Sequence, residues 1–140
     1  MKALTLTEPW ASLVACGAKY YETRSWRTAY LGALAIHAAK GFPAWARDLA
    51  NCQRVRQLVG ISYVYPVGCV VATCRLADCV PVESLLALSA QEEMFGNYER
   101  GRFAWFSPTC GPSLNRCQPR ARSDCGNGSS PRRLRYEPPS

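Results

Sequence analysis

Histidine is almost absent from this 140-residue sequence; His37 stands alone. Eight cysteines are present, yet no two are spaced as C-x-x-C. Zinc sites are built from closely spaced cysteine and histidine pairs, so the pattern argues against a metal and implies no cofactor. No apolar run approaches the ~20 residues that cross a membrane. Met1 to Thr7 lacks the apolar block and cleavage site of a secretion signal. The expectation is a cytosolic protein with no membrane partner. Disulfides are not expected in that compartment, and Cys16, Cys52, Cys69 and Cys74 read as small buried apolar residues. Acidic residues are few as well, 10 against 17 Lys+Arg. The excess is uneven. Residues 1–105 carry 11 cations and 8 acids, a net of +3, and residues 106–140 carry 6 arginines and 2 acids. A modestly basic body is compatible with nucleic acid without demanding it.

One stretch gathers the chemistry: Gly17-Ala18-Lys19-Tyr20-Tyr21-Glu22-Thr23-Arg24-Ser25-Trp26. Gly17 can stop a helix, and the aromatic and β-branched run after it reads as a strand. Alternation puts Glu22, Arg24 and Trp26 on one face. Lys19 sits at the strand's mouth, where its flexible stem can swing toward that face. A cation, an acid and a guanidinium beside flat rings can hold a polar planar ligand such as a base or nucleoside. The plainer alternative is a solvated ion pair on an exposed strand, which contributes little.

Around this stretch, Lys2 to Thr7 reads as a strand. Thr7 is a candidate cap for a short helix carrying Trp10, Leu13 and Val14 on one face. Ala33 to Ala39 reads as a buried strand. His37 lies on the face opposite Leu34 and Ile36, and Lys40 follows near the same cleft. Pro43 to Val59 reads as one helix, with Trp45, Leu49, Cys52 and Val59 inward and Arg47, Arg54 and Arg56 outward. Cys69 to Leu76 is a strong strand, broken by Asp78 to Pro81. Ser89-Ala90-Gln91-Glu92 matches a capping box, which accounts for Glu92 structurally. Phe95 to Tyr98 is a turn, and Arg102 to Trp105 begins a strand. The alternation of short strands and helices predicts α+β, a small barrel with flanking helices.

The spacing Gly17-x-Lys19-x-x-Glu22-x-Arg24 resembles the G-x-K-x-x-E-x-R motif of ASCH (activating signal cointegrator homology) domains, of the PUA-like superfamily. Leu4 to Ala11, Leu34 to Lys40, Phe95 to Tyr98 and Gly101 to Trp105 support it. The resemblance covers about residues 2–105. It implies a PUA-like β-barrel with a cleft beside the first helix, and binding of RNA, single-stranded nucleic acid or a nucleoside. Lys19, Glu22, Arg24, Trp26, Tyr21, His37 and Lys40 are then candidate ligand contacts. Some small members are amidohydrolases acting on N4-acetylcytidine through a Lys, a Thr and a Glu. Their lysine falls on Lys19 and their glutamate on Glu92. Their threonine falls on Glu22, which cannot replace a hydroxyl, and Thr23 points to the other face. The alternatives to a binding module are therefore a small hydrolase using Lys19 and Glu92, or an inactive remnant.

After Trp105 the pattern changes. Residues 106–140 hold 6 of the 10 prolines and few branched apolar residues, the composition of a disordered basic tail. Shifting the reading frame, with synonymous codons free, gives VLADVRPLAEPVPAPGALGLWEWELP directly after Trp105. That string resembles an ASCH C-terminus. The expected organisation is thus an ASCH domain over 1–105 and a frameshifted, unstructured tail over 106–140, the closing strand missing.

Overall fold

Alternating apolar residues in the first segment build strand β1, Lys2–Leu6, with Leu4 and Leu6 buried. The computed structural model describes residues 1–112. Helix α1 (Trp10–Ala15) follows, with Ala11, Ser12, Leu13 and Val14 buried. Thr7 does not cap it. The first-turn N–H of Ser12 is taken instead by the Glu8 carboxylate at 3.0 Å. Gly17 stops α1 as expected, at φ +79°. Gly17 N–H donates to the Val14 carbonyl and Ala18 N–H to the Leu13 carbonyl, a pairing that requires a residue in the left-handed region. That turn launches strand β2, Tyr21–Arg24.

Strand β3 (Gly32–Ala38) pairs in parallel with β1, and β4 (Cys69–Leu76) pairs antiparallel with β3. The expected helix over 43–59 is two helices, α2 (Ala44–Ala50) and α3 (Gln53–Val59), separated at Asn51 and Cys52. The break lets Val55 reach Leu13 and Phe95 in a second apolar cluster under the helices. Trp45, expected inward, is 46 % exposed. Asp78–Pro81, expected to break structure, is strand β5; it pairs with β6 (Phe103–Phe106), which pairs with β2. Helix α4 (Ala90–Phe95) lies between them in the chain.

The result is α+β with two sheets, ordered β1-β3-β4-β7 (β7 being Cys110–Pro112) and β2-β6-β5. Among the described residues they do not close into the expected barrel. The main core, with Leu4, Leu6, Leu34, Ile36, Leu76 and Trp105, is assembled from both sheets. No described helix is long and apolar enough to cross a membrane.

Two expectations about the chain beyond Trp105 need correction. Phe106 belongs to β6, and Cys110–Pro112 forms a short strand, β7, on the edge of β4. Cys74 and Cys110 face each other in that pairing and are joined by a disulfide. Cys74 is therefore no free apolar residue, and Cys16 is exposed rather than buried. Cys52 is half-buried and free, whereas Cys69, half-buried as well, is disulfide-bonded. Register explains the Cys74–Cys110 bond: antiparallel partners set opposite each other bring their Cβ atoms within bridging reach. Mass spectrometry of an unreduced digest should recover a peptide linking Cys74 to Cys110, lost on reduction. Recovery of both as free thiols would refute the bridge. The remainder of the expected tail and of the frameshift, 113–140, lies outside the described residues.

Candidate functional site

Lys19 sits in the short link between the Gly17 turn and β2 and is 1 % exposed. A buried lysine needs acceptors. Its Nζ donates to the Tyr21 carbonyl and lies 3.7 Å from Glu22 Oε2. Arg24, 4 % exposed, places Nε 3.5 Å from Glu22 Oε1. Its guanidinium also donates to the Thr5 carbonyl at 3.4 Å, on β1. Glu22 is thus held between two cations, with its own side chain 13 % exposed. The Arg24–Thr5 bond runs from one sheet to the other, so the same array that shapes the site also ties β2 to β1.

A second carboxylate stands close by. Ser89 caps α4 through the Glu92 N–H at 3.1 Å, as the capping box requires. The reciprocal half of the box is absent. Glu92, 5 % exposed, instead accepts from the Tyr20 backbone N–H at 2.6 Å and from the Tyr98 hydroxyl at 3.3 Å. Burial, then the charge of Glu92, then the bond to it hold the Tyr98 hydroxyl well above the usual tyrosine range. The charge of Glu22 adds to this, and Tyr98 keeps its proton as a donor to Glu92. Among the described residues no ion pair joins Lys19 to Glu92. The Thr23 hydroxyl accepts from Asn97 N–H at 3.3 Å, on the opposite strand face from Glu22.

Between the sheets at this point lies a narrow space of about 10 Å³, lined by core residues with Tyr20, Glu22 and Ser107 among them. It has room for about one water. That space is too small to enclose a base. Tyr20, 48 % exposed, is the ring presented at its rim.

The model of the ASCH domain family matches residues 4–110. This chain belongs to the ASCH family. It is similar to activating signal cointegrator 1 of Homo sapiens, 35 % identical over 81 residues, and to the Mus musculus protein of that name, 35 % identical over 82. Each match covers 55 % of this chain and 14 % of the relative. The chain thus spans about one seventh of the length of those relatives.

Placed on the ASCH fold, the candidate residues separate. Lys19, Glu22 and Arg24 come together. Trp26 packs edge-on against Trp105, with ring centroids 4.7 Å apart, and lies half-buried against the main core. Tyr21 stacks on Phe106 at 5.0 Å. His37 meets the Thr5 hydroxyl at 3.3 Å, on the sheet face away from Leu34 and Ile36 and so away from the space beside Glu22. Lys40 is exposed, its stem packed toward Gly68. Sequence reasoning missed Tyr20 and Tyr98. Tyr20 carried a usable signal, standing two residues before Glu22 and so on the same face. Tyr98 carried none beyond its place in a turn.

Proposed function

We propose that this ASCH domain binds RNA by taking one unpaired base on the rim beside Glu22. The base stacks on the exposed ring of Tyr20, and its exocyclic amine donates to Glu22. Lys19 and Arg24 act from beneath by fixing the carboxylate, and Glu92 with Tyr98 braces the backbone that carries Tyr20. The observation that supports this most is the pairing of an exposed ring with a carboxylate held rigid by two buried cations. Fixed acceptors and a flat surface are what single-stranded RNA recognition uses. The family match adds to it. The hydrolase alternative lacks such support, because Lys19 and Glu92 are engaged elsewhere and the Thr23 hydroxyl faces away.

Fluorescence anisotropy with a labelled single-stranded RNA tests the reading. Stacking contributes about 1–3 kcal/mol per base, so Tyr20→Ala should weaken binding roughly 5- to 150-fold. Glu22→Gln, which keeps the shape and removes the charge, should shift the preference among bases. Wild-type protein that shows no salt-dependent RNA binding would end the proposal.

A further inference from the structure

The helical face beside the cleft has a composition that the fold does not account for. Between Lys40 and Tyr65 stand four cations, Lys40, Arg47, Arg54 and Arg56, against one acid, Asp48. The same stretch carries Phe42, Trp45, Tyr63 and Tyr65. Core packing would bury those rings, yet Trp45 is 46 % and Tyr63 39 % exposed. They form two groups joined by the first turn of α2. Trp45 leans on Trp10 with centroids 5.7 Å apart. Phe42 meets Tyr65 at 5.5 Å, and Tyr65 meets Tyr63 at 5.1 Å. The Arg47 guanidinium lies 5.5 Å from the centre of the Phe42 ring. Flat rings interleaved with cations are what a sequence-tolerant single-strand surface is made of.

This face is joined to the cleft. Arg54 donates to Gln91 Oε1 at 2.8 Å, and Gln91 Nε2 donates to the Ala18 carbonyl at 2.6 Å. Gln91 precedes Glu92 and Ala18 precedes Lys19 in the chain. Arg54 therefore stands where the basic face meets the rim.

We infer that the ligand is an RNA strand of several nucleotides rather than a single nucleoside, running from the rim across Arg54 onto Arg47 and Trp45. This rests on the RNA reading above and extends it from one base to a polymer. Phosphates fall on Arg54 and Arg47, and a second base stacks on Trp45. A free nucleoside reaches the rim alone and gains nothing from the helical face.

The test uses the full chain, a fluorescent ten-nucleotide cytidine strand and free cytidine, whose base carries the exocyclic amine that the rim contact needs. The strand should bind at least tenfold more tightly than the nucleoside. In Trp45→Ala/Arg47→Ala/Arg54→Ala, strand affinity should fall at least tenfold and nucleoside affinity should stay unchanged. All three side chains are exposed, and a circular dichroism melt checks that the variant folds. Each lost phosphate contact should also flatten the slope of log K against log salt by about 0.7. Strand binding that is present, abolished by Tyr20→Ala and untouched by the triple variant would overturn the inference and leave the RNA reading standing. Absence of strand binding in wild-type protein would overturn both. The nearby exposed aliphatic residues Ile61 and Val64 offer a rival use. A synthetic acidic amphipathic peptide that binds wild-type protein and is lost in the triple variant, while RNA binding is unmoved, would assign the face to a protein partner instead.

Discussion

Glu22→Ala should lower the unfolding free energy by about 3–5 kcal/mol, the usual loss when one partner leaves a buried ion pair. The size follows from what remains. Lys19 is 1 % exposed and would keep only the Tyr21 carbonyl among its named partners. Arg24 would keep its bond to Thr5 but lose the carboxylate beside Nε. Neither cation can move far into water, because one is enclosed by the link that follows Gly17 and the other bridges the two sheets. An exposed strand pair would behave differently, with a loss below about 1 kcal/mol. Urea unfolding followed by tryptophan fluorescence separates the two outcomes, and a loss below that level would mean the array is solvated in solution. Adding Lys19→Met to Glu22→Ala should restore much of the loss, since a buried cation replaced by an apolar side chain of similar length no longer needs a counter-charge. Failure of that rescue would place the cause in lost packing.

The same array shows where sequence reading succeeds and stops. Strands β1 and β3 were legible because Leu4, Leu6, Leu34 and Ile36 alternate with residues that can face outward, and alternation is a local property. The Gly17 stop was legible because one residue type suits that backbone angle. The burial of Lys19 was not legible, because a lysine in a short link between a helix and a strand is exposed by every local rule and is enclosed here only by tertiary packing. Glu92 was legible by half. Serine and glutamate at that spacing do form the cap, but the side chain bonds Tyr20, seventy-two residues away in the chain. The division of 43–59 was hidden because Asn51 and Cys52 are neither glycine nor proline. Only the placement of Val55 against Leu13 shows why the helix breaks there. Pro81 argued against a strand, yet it ends β5, an edge strand where a missing N–H does little harm. Cysteine spacing alone could not pair Cys74 with Cys110, since register decides that bond.

Glu8 supplies the other large effect, and its sign runs against the usual carboxylate. Its side chain is fully enclosed, with Ser12 N–H at 3.0 Å and the Ser12 hydroxyl at 2.8 Å. Ser12 in turn meets the Tyr63 hydroxyl at 2.8 Å. No cation stands among these named partners. Burial pushes Glu8 up from 4.5 to about 7, and the two Ser12 bonds only partly oppose it. The folded state therefore holds the proton more tightly than the unfolded chain does. Stability from this group is fully present below about pH 4.5 and is lost as pH rises through 7. At about 1.4 kcal/mol per pH unit the total is about 3 kcal/mol. Glu8→Gln should remove that penalty, raising stability at pH 8 by about 2–3 kcal/mol and leaving it nearly unchanged at pH 4. The amide suits the site: its oxygen accepts from Ser12 N–H and its NH₂ donates to the Ser12 hydroxyl, which then turns its proton to Tyr63. Urea melts of both proteins from pH 4 to pH 8 give the comparison. Curves that stay parallel across that range would show that Glu8 titrates as an ordinary solvated acid, and that the Glu8–Ser12–Tyr63 chain is open to water.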